Sequence, residues 1–230
     1  MENQKQRNLQ IRWIAESAIM IALAIVLEIV SKMFIPKLPF GGSVTIVSML
    51  PVIFVCWKYG IKRGIVTSAV YSLVEIVMGL FSGTITAAFL PVEEDGLGVG
   101  KAILMLCLDY IVAFTVLGFA AMFKKAIKIN WLSLALGAFV VIFLRYVSHT
   151  ISGFILYGAW AEWFFTDTES GWGTQLGINI FNSLKNNSTA LALVYSAIYN
   201  GLYMIPEMII TPIVAAFIGK IDKITSNNIH

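Results

Sequence analysis

Residues 131–158 read WLSLALGAFVVIFLRYVSHTISGFILYG, an apolar run that nevertheless carries an arginine, Arg145, and a histidine, His149. About 20 apolar residues suffice for a helix to cross a bilayer, so this run predicts a membrane span. Arg145, His149 and Gly153 recur every four residues and so share one helical face, which Tyr157 extends toward the helix end. Ionisable groups at lipid depth cost on the order of 2.5–3.5 kcal/mol each unless they face a partner, a cavity or the protein interior. One helix with such a face demands others to cover it.

The rest of the chain supplies them. Of 230 residues, 58% are apolar and only 13% charged, with a mean hydropathy of +0.83. An ordinary globular chain carries about 25% charged residues. Apolar length places five further spans at about 11–31, 42–57, 64–82, 102–123 and 190–219. The expected fold is therefore an all-α integral membrane protein of six transmembrane helices, a single membrane domain over 1–230. The second span is the shortest and is interrupted by Pro51, which predicts a kink or partial crossing. The first run, Ile14 to Val30, follows Lys5, Arg7 and Arg12 but is too long for a signal-peptide core, so it reads as a retained helix.

Little chain remains for a soluble catalytic domain. No serine or cysteine nucleophile has a base in register, and no HExxH-type motif occurs. The stretch Gly96-Leu-Gly-Val-Gly-Lys-Ala102 departs from a phosphate-binding loop at Asp95 and Ala102. The reading is thus not an enzyme, with no metal and no cofactor expected. Cys56 and Cys107, both in apolar runs, are expected to be reduced core residues. No internal repeat is evident, which weighs against the repeat-built secondary transporters.

Basic residues set the orientation. Eleven of the sixteen Lys and Arg fall in the N-terminal tail (Lys5, Arg7, Arg12), the turns 58–63 (Lys58, Lys62, Arg63) and 124–128 (Lys124, Lys125, Lys128), and the C-terminal tail (Lys220, Lys223). The opposite loops hold Lys32, Lys37, Lys101 and Lys185. Excess Lys and Arg mark the cytoplasmic side, so both termini are expected inside. Outside would lie a Pro- and Gly-rich loop, Ser31–Gly42, suited to an ordered lid; a loop with the acidic run Glu93-Glu94-Asp95; and a long loop, about 159–189, whose Trp160, Trp163 and Trp172 suit interfacial anchors.

Besides Arg145 and His149, the spans contain Glu16, Glu28, Glu75, Asp109 and Glu207. Glu16 and Glu28 lie near the ends of the first helix, within reach of the interface. Asp109, His149 and Asn200 come from three helices yet fall at one depth, roughly 10–15 Å below the outer surface at 1.5 Å per residue. That convergence predicts a polar pocket opening outward, with Gly153 leaving room beside His149 for a ligand ring. Tyr195, Tyr199 and Tyr203 would add aromatic walls or helix packing. Tyr195 and Asn200 are about 140° apart on a helix, so both line one pocket only if it wraps around that helix. Such a pocket suits a small, flat ligand with a cationic or amino group. On the first helix, Ala18-Ile-Met-Ile-Ala22 is a small-xxx-small motif that serves either packing within the chain or docking of a partner.

Several stretches resemble one family. Gly42-Ser-Val-Thr-Ile-Val-Ser-Met-Leu-Pro51 with Lys58-Tyr-Gly-Ile-Lys-Arg-Gly64, the pair Asp109-Tyr110, Arg145-Tyr-Val-Ser-His149-Thr-Ile-Ser-Gly153, and Tyr195-Ser-Ala-Ile-Tyr-Asn200-Gly-Leu-Tyr-Met-Ile-Pro206-Glu207 are similar to the S-components of energy-coupling factor (ECF) vitamin transporters, the thiamine-specific members above all. The resemblance covers about residues 10–220. It implies a six-helix S-component bundle in the cell membrane, binding thiamine with high affinity near the outer face under the first loop. Asp109, Tyr110, His149, Tyr195 and Asn200 would be ligand contacts, with Arg145, Gly153 and Tyr157 lining the site. Ala18 and Ala22 would dock on a transmembrane coupling subunit that works with two cytoplasmic ATPases. Alternatives remain: an S-component for riboflavin or a thiamine precursor such as hydroxymethylpyrimidine, or a stand-alone proton-coupled carrier using Asp109, Arg145 and His149.

Overall fold

The computed structural model describes residues 2–35, 38, 42–92, 96–169 and 173–221. Pro36, Lys37, Pro39 and Gly41 of the expected lid, the run Glu93–Asp95, Trp172 and Lys223 lie outside the described residues. Among the described residues there is helix and no strand. The helices are α1 (Glu2–Phe34), α2 (Leu50–Tyr59), α3 (Ile61–Phe81), the short α4 (Thr84–Ala88), α5 (Val99–Ala121), α6 (Asn130–Leu156), α7 (Ala161–Thr166), α8 (Gln175–Leu184) and α9 (Ser188–Gly219). Of these α1, α3, α5, α6 and α9 are long and apolar enough to cross a membrane.

Their faces are arranged the reverse of a soluble bundle. In α3 the inward stripe is Ser68, Tyr71, Ser72 and Glu75, while Val66, Val70, Leu73, Val77 and Phe81 point outward. In α9, Tyr195, Ser196, Asn200, Glu207 and Thr211 are buried, and Ile205, Ile209, Ile213 and Phe217 are exposed. Lipid favours the apolar face, and the polar face must be satisfied within the protein.

The second expected span is helical only over its ten-residue C-terminal part, α2. Pro51 does not kink it. It sits in the first turn, where its missing N–H costs nothing, and Gly60 at φ 85° ends the helix. Leu50 to Trp57 are all buried, which makes α2 the core peg against which α1, α3, α5 and α6 pack. The preceding 42–49 is irregular over 42–45 and turned over 46–49, and its β-branched run Val44–Val47 lowers its helix propensity. Its amides are taken by side chains instead. Gly42 N–H donates to Tyr199 Oη (3.2 Å), Thr45 N–H to Glu207 Oε1 (2.7 Å) and Ile46 N–H to Ser31 Oγ (3.0 Å).

The third expected outer loop contains two helices. α7 forms because Phe164 and Phe165 bury against the core. The amphipathic α8 starts where Thr174 Oγ1 accepts the Gly177 amide, an N-cap. Trp160 and Trp163 meet edge to face, 6.3 Å between rings, and both pack on the core. Cys56 is buried as expected; Cys107 departs from the expectation and lies exposed on the outward face of α5.

Basic and aromatic side chains gather at one end of the bundle. Lys58 pairs with Glu16 (2.7 Å), Arg63 lies over Trp13, Lys220 over Trp131, and Lys124 over Trp57 while donating to the Lys58 carbonyl (2.9 Å). Burial, with Lys58 nearby, holds the Lys124 ammonium below the usual lysine range.

Helix α5 touches α3 backbone to backbone. A Cβ on Gly118 would come within 2.6 Å of Ile65 N and Cα. Gly118→Val is expected to cost about 1–3 kcal/mol by overpacking, read as a lower thermal unfolding temperature of the detergent-solubilised protein.

Candidate ligand-binding site

The half of the bundle away from the basic end holds a cavity of about 170 Å³ walled by α1, α3, α5, α6, α9 and the 42–49 segment. Asp109, Tyr110, Arg145, His149, Gly153, Tyr157, Tyr195 and Asn200 all line it. The convergence expected of Asp109, His149 and Asn200 is thus found.

Asp109 stands in a wide, π-helical stretch of α5, Leu106–Val112. Widening a helix leaves carbonyls without their usual partners, and at lipid depth these must be met internally. Serines of the neighbouring helices meet them. Ser148 Oγ donates to the Leu108 carbonyl (2.7 Å) and Ser72 Oγ to that of Tyr110 (3.0 Å), while beyond the stretch Ser68 Oγ donates to the Thr115 carbonyl (2.9 Å). The bulge turns Asp109 onto α6, where Oδ1 lies 2.9 Å from His149 Nδ1 and Oδ2 accepts from Ser152 Oγ (2.7 Å). A carboxylate at Nδ1 fixes the imidazole to donate there and leaves Nε2 as the free position. His149 Nε2 is buried without a partner.

Arg145, one turn below, has no carboxylate within ion-pair distance among the described residues. Its Nη1 approaches the Met49 sulfur (3.0 Å), and its guanidinium lies 4.4 Å from the Phe114 ring centre. Both contacts suit a weakly hydrated, planar cation.

On α9, Tyr195, Tyr199 and Tyr203 form a ladder with ring centres 6.0 and 6.1 Å apart, braced by Phe164. Asn200 and Tyr195 both line the cavity, so it does wrap around this helix. Asn200 is a clamp within the protein: Nδ2 donates to the carbonyls of Ser196 (2.9 Å) and His149 (3.2 Å), and Oδ1 accepts from Tyr203 Oη (2.5 Å). Gly153 serves the same clamp. The room beside it, expected for a ligand ring, is filled by Ser196 Oγ and Asn200 Nδ2, into which a Cβ would run.

Part of the wall comes from residues not expected there from the sequence. Glu28 does not reach the interface; it is 7% exposed, lines the cavity and pairs with Lys32. Glu75 (5% exposed) lines it from α3. Its place on the stripe Ser68, Tyr71, Ser72, Glu75 was a signal available in the sequence. Gly42, Ser43, Thr45, Ser48 and Met49 close the cavity from the 42–49 segment. A Cβ on Gly42 would sit 2.9 Å from both Tyr199 Oη and Tyr203 Cε1, so only glycine lets the segment lie on these rings. Ala18 and Ala22 are far from the cavity, on an exposed face of α1 with Ile11, Ile14, Ile19 and Val26.

A sequence profile described as "Thiamine transporter protein" matches residues 14–92 and 98–166. The chain is 33% identical over 209 residues to the thiamine transporter ThiT of Bacillus subtilis (strain 168), covering 86% of this chain and 85% of that protein. The chain belongs to the thiamine transporter family. The family's members are transporters. Of the cavity residues named from the sequence, Asp109 to Tyr157 lie within the profile's span, while Tyr195 and Asn200 lie beyond it.

Because Asn200 joins α6 to α9, Asn200→Ala is expected to destabilise the ligand-free protein. Two backbone acceptors and the Tyr203 hydroxyl lose their partner, at about 1–3 kcal/mol. Thermal unfolding without ligand separates this from a role confined to ligand contact, which would leave the transition unmoved.

Proposed function

We propose that this protein is a thiamine-binding S-component. It takes thiamine with high affinity from outside the cell membrane and delivers it inside, together with a transmembrane coupling subunit and two ATPases. The observation that carries the reading is the Asp109–His149–Ser152 cluster, opening on a cavity walled by tyrosines, in a chain of the thiamine transporter family. Thiamine has two flat rings joined by a methylene bridge, one cationic and one carrying an amino group. Asp109 would offset its charge, and aromatic faces would add about 0.5–2 kcal/mol each through cation–π contacts. His149 Nε2 is a free polar atom for the ligand to meet. Tyr110, Tyr195 and Asn200 complete the proposed contact set, with Arg145, Gly153 and Tyr157 as lining and support.

In this reading α2, with the segment before it, counts as the sixth span of one membrane domain. Both termini are cytoplasmic. The gathering of Lys58, Arg63, Lys124 and Lys220 at the end opposite the cavity supports that orientation. The 42–49 segment, tied to Tyr199 and Glu207, is the proposed closure over bound ligand. The apolar face around Ala18 and Ala22 is the proposed docking surface, where small side chains let a partner helix come close. ATP hydrolysis in the partners would then reorient the bound S-component.

Asp109→Asn keeps the shape and removes the charge. It is expected to weaken thiamine binding by about tenfold or more, the loss of a charged hydrogen-bonding group, measured by titration of the purified protein. Ala18→Trp is expected to leave that affinity unchanged and abolish uptake in cells with the partner subunits; normal uptake would place the docking face elsewhere.

A further inference from the structure

Among the described residues one non-glycine has a positive φ: Val47, in the 42–49 segment, at 50°. This is the left-handed region, which a β-branched side chain tolerates poorly. Such a residue persists only where its surroundings hold it in place. The bonds that hold Val47 lie on both sides of it. Ile46 N–H donates to Ser31 Oγ (3.0 Å), Leu50 N–H to the Val47 carbonyl (3.0 Å) and Ser48 Oγ to Thr45 Oγ1 (2.7 Å). Thr45 is held in turn by Glu207, whose Oε1 accepts both its N–H (2.7 Å) and its hydroxyl (2.5 Å). Glu207 is 2% exposed, its other carboxyl oxygen has no hydrogen-bond partner, and it does not line the cavity. The hydrogen bonds of this carboxyl thus go to the 42–49 segment alone.

We infer that Glu207 is a positioning residue of the binding site: by holding Thr45 it keeps the strained Val47 turn formed, and so sets the wall that Thr45, Ser48 and Met49 give to the cavity. This role rests on the proposed thiamine site and deepens it. Met49 carries the effect across the cavity, since its sulfur lies 3.0 Å from Arg145 Nη1. With the turn held, the wall stands ready before a ligand arrives. Without Glu207, Val47 relaxes toward ordinary backbone angles. A ligand then meets the formed wall in only a fraction of the molecules, and the apparent affinity falls by that fraction. The strain also fixes the compensating change. Glycine adopts a positive φ freely, so a turn with glycine at position 47 stands without the anchor.

A double-mutant cycle on the purified full-length protein, titrated with thiamine, tests this. Glu207→Ala is expected to weaken binding by about tenfold or more, the scale of the strain left unheld. Val47→Gly alone, at a residue that does not line the cavity, is expected to stay within about threefold of wild type. Added to Glu207→Ala, it is expected to bring binding back to within about threefold of wild type. A packing defect left by the missing carboxyl would not be repaired at position 47. Two effects that simply add, or a Glu207→Ala protein that binds like wild type, overturn the assignment. If Glu207→Ala does not fold, Thr45→Val takes its place in the cycle, since it removes the hydroxyl that Glu207 holds. Wild type that binds no thiamine overturns the thiamine reading instead. The anchor is then decided by the same cycle in thermal unfolding without ligand, where Val47→Gly is expected to recover what Glu207→Ala loses, and additive losses overturn it.

Discussion

A carboxylate placed among lipid-spanning helices has to receive its partners from the protein, and Asp109 receives them from α6. His149 and Ser152 hold its two oxygens, and that grip needs α5 to widen into a π-helical stretch. The widening in turn leaves carbonyls that Ser72 and Ser148 occupy, which sets the packing of α3 and α6 on α5. The same logic continues on α9, where Asn200 ties itself to the backbone of α6 through the gap left by Gly153. A polar centre of this kind is possible because lipid rewards the apolar outer faces and gives nothing to the polar inner ones.

Much of this was legible in the sequence, for physical reasons that also explain what was not. Helical periodicity put Arg145, His149 and Gly153 on one face, and rise per residue put Asp109, His149 and Asn200 at one depth; the cavity gathers all of them. At Gly153 the sequence suggests space for a ligand, because a sequence shows an absent side chain but not what moves in beside it. At Glu28 it suggests reach to the interface, since what covers the end of α1 is set by neighbours and not by its own composition. Apolar length alone would make the 42–49 segment a helix. Its conformation is decided by Ser31, Tyr199 and Glu207, residues distant in the chain that capture its amides. Helices α7 and α8 were hidden in an expected loop, because Phe164, Phe165 and the Thr174 cap act over a span too short for periodicity to register.

The arrangement separates two tasks along the bundle. One end collects Lys, Arg and Trp around the short α2, buried from Leu50 to Trp57. The other half carries the cavity, with a glycine-containing strap laid on two tyrosines. The apolar peg at one end and the polar, backbone-irregular chamber in the other half keep the packing of the fold apart from the cavity. The exposed small-residue face of α1 lies on neither, which leaves it available for the partner contact proposed above.

Whether this cavity binds thiamine is decided by a titration. The purified protein, freed of endogenous ligand, is titrated with thiamine while its tryptophan fluorescence is followed. Saturable quenching is expected at sub-micromolar thiamine, not reproduced by riboflavin. A folded protein with no response to thiamine, or an equal response to riboflavin, would contradict it.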